Sequence, residues 1–97
     1  MFNYNFEWDT TKAITNQHKH GISFELATTV FNDQFMLSMP DNEHSESEER
    51  WITLGQADND RLLVVIHTFN ETNTGANIRI ISAREATKHE QRQYEVK

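Results

Sequence analysis

The sequence predicts an α+β fold in the order strand, helix, helix, four strands, helix, with a mostly antiparallel sheet. Three observations carry that expectation. Phe2, Tyr4, Phe6 and Trp8 alternate with polar residues, the period of a half-buried strand. Residues 9 to 32 then switch to helical spacing, with capping residues at each break. From Trp51 onward short β-branched runs return between polar turns, as in neighbouring antiparallel strands. A chain of 97 residues is expected to make one domain, residues 1–97.

The first strand covers residues 2–7. Asp9 then caps a helix, with Trp8 and Ala13 placed for a staple-like contact, and the helix stops at Gly21 behind Lys19 and His20, both suited to the negative end of the helix dipole. Ser23 caps a second helix to about Asn32, whose core stripe is Phe24, Ala27 and Phe31. Phe35, Leu37 and Met39 alternate into a short strand that Pro40 ends. Residues 41 to 49 carry Asp41, Glu43, Glu46, Glu48 and Glu49, a solvated acidic loop. Trp51, Ile52 and Leu54 mark the next strand. After a turn at Ala57 to Asp60, Arg61 to Phe69 reads as a strand whose apolar middle suits the centre of a sheet. Asn70 to Ala76 reads as a polar loop and Asn77 to Ser82 as the last strand. Ser82-Ala83-Arg84-Glu85 then fits a capping box opening the closing helix.

Composition narrows the function. The longest unbroken apolar run, Leu62 to Ile66, is far short of the roughly 20 residues that cross a bilayer, so no membrane association is expected. Met1-Phe2-Asn3-Tyr4 lacks the basic, then apolar, pattern of a secretion signal, and Cys is absent. A cytoplasmic location follows as the expectation. Hydrophobic residues make up 36% of the chain, a thin core that a partner would help to cover. The net charge of −6 argues against indiscriminate polyanion binding. It is unevenly spread: residues 1 to 60 hold three bases and eleven acids, whereas residues 61 to 97 hold six bases and four acids.

No phosphate-binding glycine loop, Ser or Cys nucleophile motif or helix-borne metal motif is present, and no cofactor is expected. His18 and His20 point about 200° apart on a helix and do not share a metal ion readily. Three basic groupings remain. Lys12, Asn16 and His20 fall at i, i+4 and i+8 with Lys19 beside them, on one polar face of the first helix. Arg84, Lys88 and Arg92 repeat that spacing on the last. Arg79, between Ile78 and Ile80, must leave the sheet on the face opposite the isoleucines, where Arg50 of a neighbouring strand reaches the same cleft. Two guanidinium groups there suit a phosphate. Ordinary structural roles compete: solvated helix faces for the two stripes, and ion pairs from Arg50 to Glu46 or Glu48 or from Arg79 to an acid across the sheet.

These residues also form a larger pattern. Phe6-Glu7-Trp8-Asp9, Lys12, Asn16 and Lys19-His20-Gly21-Ile22-Ser23-Phe24 resemble the opening signature of the BrnT family of bacterial toxins. The resemblance continues through Ala27, Phe31, Asp33, Glu48-Glu49-Arg50-Trp51, Gly55 and Arg79-Ile80-Ile81-Ser82-Ala83-Arg84-Glu85-Ala86-Thr87 to Glu90, Arg92 and Tyr94. It implies a RelE-like fold and an endoribonuclease toxin of a type II toxin–antitoxin module that inhibits translation and growth. It also implies neutralisation by a BrnA-like, ribbon-helix-helix antitoxin in a hetero-oligomer, with operator DNA bound only through that antitoxin. Such enzymes cleave their RNA substrate without metal, the 2′-hydroxyl attacking the adjacent phosphate. That reaction needs a base, an acid and cations around the phosphorane.

Within that frame His20, whose imidazole is the side chain suited to proton transfer near neutrality, takes general acid or base work. Glu48 is the complementary base if the acidic loop folds over the cleft. Arg50, Arg79 and Arg84 stabilise phosphate charge, Arg84 near a helix N-terminus. Lys12, Lys19, Lys88 and Arg92 hold the RNA backbone. Two readings compete with this one: an acidic binding module without catalysis that only holds a basic partner protein, and a nuclease that acts only with the ribosome. Lys19-His20-Gly21 also has a purely structural reading, as a helix C-cap.

Overall fold

The computed structural model describes residues 2–44 and 48–96. Strand β1 (Asn3–Glu7) keeps the expected alternation, with Tyr4 and Phe6 half-buried between exposed Asn3, Asn5 and Glu7. Asp9 caps helix α1 (Thr10–His20), its carboxylate accepting the Lys12 N–H at 3.1 Å. The helix closes at Gly21, whose φ of 70° lies in the left-handed region that a β-carbon disfavours by about 1 to 2 kcal/mol. Ser23 caps helix α2 (Phe24–Thr28) by accepting the Leu26 N–H. The second helix is shorter than expected, tightening into a 3₁₀ segment over Thr29–Asn32. The Thr28 and Thr29 hydroxyls bond the carbonyls three residues back, and Val30 packs so close to Gly55 that a β-carbon there would stand 2.7 Å from Val30 Cγ1.

Strand β2 (Leu37–Pro40) follows, with Phe35 left outside it in a turn held by Asp33. Asp41, expected in a solvated loop, is buried, and its N–H donates to the Arg50 carbonyl; a 3₁₀ turn covers Asn42–His44. Glu46 lies outside the described residues. Strands β3 (Trp51–Gln56) and β4 (Leu62–His67) form the antiparallel hairpin. The expected polar loop after residue 69 is instead a two-residue strand, β5 (Asn70–Glu71), and the start of β6 (Gly75–Glu85).

Strand β6 also runs past the expected helix start. Ser82 to Glu85 remain extended because β4 pairs with them, Val64 opposite Arg84 and Leu63 opposite Glu85. The capping box sits five residues further on. Thr87 Oγ1 accepts the Glu90 N–H and the Glu90 carboxylate accepts the Thr87 N–H, which opens α3 (Lys88–Val96).

The sheet order is β1-β6-β4-β3-β2, with β5 also on β6, and among the described residues only the β1–β6 pair is parallel. The expected α+β class and mostly antiparallel sheet are therefore present, with β4 central. Phe24, Ala27, Val30 and Phe31 pack on Leu63, Val65, Ile78, Ile80 and Ala83 to form the main core. Each large side chain withdrawn there contributes roughly 1.5 to 3 kcal/mol. On the opposite face α3 covers a smaller cluster of Leu54, Val64 and Ala86 with Ile52, Ile66 and Tyr94. Among the described residues no helix is long and apolar enough to cross a membrane.

One irregularity in β6 positions the functional side chains. His67 pairs with Ile80 but Ile66 pairs with Ser82, so Ile81 is an extra, bulged residue. Before it, Ile78 and Ile80 face the main core and Arg79 the other side. After it the parity resets, so that Ala83 rejoins the core and Arg84 turns outward.

Candidate active site

Arg79 leaves β6 on the sheet face away from α2, as strand alternation requires. Arg50 stands two residues before Ile52, which faces the α3-side cluster, so it shares that face. With Asp9, Lys12 and Glu48 the two arginines line a cavity of about 300 Å³, walled also by Ile80 and Ile81. The expected meeting of Arg50 and Arg79 is thus present. Glu48 reaches the cavity too and is ion-paired with Arg79, each side chain about 40% exposed. An exposed pair of this kind contributes at most about 1 kcal/mol and exchanges readily for another anion.

A second cavity, of about 260 Å³, adjoins the first and shares Lys12 and Ile81 in its walls. Thr11, Thr15, Asn16, Lys19, His20 and Ser82 complete it. The two form one groove along α1 and the bulged stretch of β6. Six ionisable side chains named from the sequence, Lys12, Lys19, His20, Glu48, Arg50 and Arg79, therefore line it. His20 lies eight helical residues beyond Lys12, about 12 Å along the axis, and opens on the second cavity only.

Asn16 lines this second cavity between Lys12 and His20, as the helical spacing expects, but its amide is turned inward. It is 6% exposed and so belongs to the buried floor of the groove rather than to a solvated polar face. Its amide donates to the carbonyls of Ile22 and Ala83 at 3.0 and 2.8 Å and accepts the Ala83 N–H at 3.1 Å. Since β1 pairs with β6 only as far as Arg79, the Asn16 amide supplies the edge partner that Ala83 otherwise lacks.

Arg84, Lys88 and Arg92 do not form the expected helical stripe, because Arg84 is in β6. It makes a bidentate contact with Glu90 at 2.8 and 2.9 Å. The Arg84 hydrogen bonds hold the Glu90 carboxyl down to about 2, against the cost of burial and with help from Thr87; Glu90 in turn raises the Arg84 guanidinium. Lys88 and Arg92 are exposed on α3 and line neither cavity. Tyr94 donates to Asp33 at 2.5 Å, and burial followed by that carboxylate pushes the phenol up to about 12. The same carboxylate accepts the Gln56 N–H, fastening α3 and the end of β3 to the loop after α2.

Two features escaped the sequence reading. Asp9, expected only as a helix cap, also stands in the wall of the arginine cavity. The signal was its place on the turn immediately before Lys12. His67 is buried, and that burial lowers its basicity. Its Nδ1 lies 2.9 Å from the Thr68 carbonyl and so carries the proton, leaving Nε2 to accept from the Thr53 hydroxyl at 2.7 Å. Its alternation with Leu63 and Val65 was the available sign that it points inward. Among the described residues no group of three or more His, Asp or Glu side chains converges as metal ligands would.

Comparison with known proteins gives two findings. Residues 8–90 match the family model described as the ribonuclease toxin, BrnT, of type II toxin–antitoxin systems. Among solved structures the chain is similar to the Brucella abortus ribonuclease toxin BrnT. The TM-score is 0.62 at 22% sequence identity, covering 89% of this chain and 100% of that one. At that identity the likeness speaks for the fold alone. A comparison with curated proteins finds no match.

Proposed function

The chain belongs to the BrnT family of ribonuclease toxins of type II toxin–antitoxin systems, and from that premise we propose that it is an endoribonuclease whose scissile phosphate sits between Arg50 and Arg79. The observation that carries this reading is a sorting. Of the polar residues behind the family resemblance, Asn16, Ser23, Asp33, Arg84, Glu90 and Tyr94 are engaged inside the protein, by cap, amide pairing, ion pair or phenol contact. Those lining the open groove with charged or imidazole side chains are Asp9, Lys12, Lys19, His20, Glu48, Arg50 and Arg79, with Asn16 and Ser82 in its wall.

The chemistry suited to that set is attack by the ribose 2′-hydroxyl on its own phosphate, leaving a cyclic phosphate and a 5′-hydroxyl end. Two guanidinium groups and an ammonium supply the positive charge that the pentacoordinate phosphate demands, so the reaction proceeds without metal. Lys12 and Lys19 carry the RNA backbone along α1. His20, two helical turns from Lys12, stands at the far end of the groove from a phosphate seated between the arginines and binds the RNA backbone there with Lys19. Arg84, locked to Glu90, acts on α3 and not on substrate, and Lys88 and Arg92 contribute only general attraction. The partner is a BrnA-like antitoxin in a hetero-oligomer, with operator DNA reached through it. The site of action is the cytoplasm, and residues 1–97 act as one domain.

Incubating the purified protein with RNA in EDTA, alone and with translating ribosomes, tests the reading. Fragments with 5′-hydroxyl ends are expected. Activity that disappears on chelation would overturn the metal-free mechanism, and intact RNA in both arms would favour an acidic binding module instead.

A further inference from the structure

Asp9 is fully explained as a helix cap by one of its two oxygens. Oδ1 accepts the Lys12 N–H, whereas Oδ2 accepts no hydrogen bond among the described residues. That second oxygen belongs to a side chain in the wall of the cavity that also holds Arg50, Arg79 and Lys12. The other carboxylate there, Glu48, is already paired with Arg79 and stands where an incoming phosphate would bind that guanidinium. The imidazole of the groove, His20, is about 12 Å of helix away from Lys12.

Resting on the cleavage reaction proposed above, we infer that Asp9 is the general base of the arginine cavity and that Glu48 is the counter-ion which substrate displaces from Arg79. The 2′-hydroxyl gives its proton to the Asp9 carboxylate as its oxygen bonds to phosphorus. The bond from phosphorus to the 5′ oxygen breaks, and that oxygen takes a proton from the Lys12 ammonium. Solvent then carries the proton from Asp9 back to Lys12, so both groups end as they began. Arginine has no part in the proton transfers because its guanidinium does not deprotonate in proteins. The cap also explains why the carboxylate stays in place: the bond to the Lys12 N–H fixes Oδ1 and with it the whole carboxylate at the cavity wall.

The two roles of Asp9 separate cleanly, because Asn caps a helix as well as Asp but has no basic oxygen. With Asp9→Asn, single-turnover cleavage is expected to fall at least about 100-fold, the usual range for losing a general base. Thermal stability should be unchanged, and so should binding of an RNA that carries a 2′-deoxy sugar at the cleavage site. Asp9→Ser, which also keeps the cap, should behave alike. If both variants cleave at the wild-type rate, Asp9 is a cap alone and the inference fails while the cleavage reading stands. If binding of the deoxy RNA falls in step with the rate, Asp9 acts on affinity and the base assignment is overturned. A wild-type protein that leaves RNA uncut, with and without ribosomes, overturns the reading itself.

Discussion

Arg79 and Arg84 leave the same strand on the same face, one on each side of the Ile81 bulge, and meet opposite fates. Arg84 is gripped at two points by Glu90, which is itself bound by Thr87 in the capping box of α3. Arg79 has a single exposed partner, Glu48, and shares its cavity with Arg50 and Lys12. An ion pair built into a wider hydrogen-bond network is architecture, whereas one at the lip of a cationic cavity is exchangeable. The lesson is that a count of basic residues in this acidic chain says little about nucleic-acid binding, and the carboxylates around each one say much more.

Removing both cavity guanidiniums should have the largest effect. Arg50→Ala combined with Arg79→Ala is expected to lower RNA cleavage by at least about 1,000-fold, since a single charge-stabilising donor contributes about 10² to 10³. Purified protein, single-turnover rates and a growth assay on induction all check it. On the architectural side Asn16→Ala should cost about 2 to 3 kcal/mol in urea unfolding, because the Ala83 N–H and two carbonyls lose their buried partner. For a chain of this size that lowers the thermal midpoint by roughly 8 to 24 °C.

Smaller effects sharpen the contrast between the arginines. Arg84→Ala should cost about 1 kcal/mol by the same unfolding measurement. The pH dependence of stability gives an independent view of the Glu90 network. Its carboxyl is lowered in the fold, from 4.5 to about 2, so its contribution is complete above pH 4.5 and is lost as the pH falls from there towards 2. Comparing wild type with Glu90→Gln across that window isolates it. His67 acts higher in the scale: neutral in the fold and lowered by burial, it leaves stability falling once the pH drops below 6.5. Smallest of all, Lys88→Ala and Arg92→Ala should change RNA cleavage by less than about twofold, the expectation for solvated charges screened by salt.

Much of this was legible in the sequence where the determinants are local. The caps Asp9, Gly21 and Ser23, the aromatic alternation of β1 and the β3–β4 hairpin all follow from neighbouring residues. So does the shared face of Arg50 and Arg79, which needs only strand parity. The failures are places where distant pairing decides. Ser82-Ala83-Arg84-Glu85 and Thr87-Lys88-His89-Glu90 both read as capping boxes, and β4 pairing with residues 82–85 selects the second. Helical spacing placed Asn16 with Lys12, but the unpaired edge of β6 draws its amide inward. The bulge at Ile81 has no signature of its own, yet it resets the strand parity so that Arg84 leaves on the face where Glu90 meets it.

The most direct test of the open cavity as the cleavage site is the ratio of single-turnover RNA cleavage rates, measured in EDTA, for Arg79→Ala and Arg84→Ala, each corrected for the fraction folded. Arg79→Ala should be slower by about 100-fold or more, with Arg84→Ala close to wild type. Equal losses in the two variants would contradict the distinction between the exchangeable and the architectural arginine, and with it the placement of the reaction between Arg50 and Arg79.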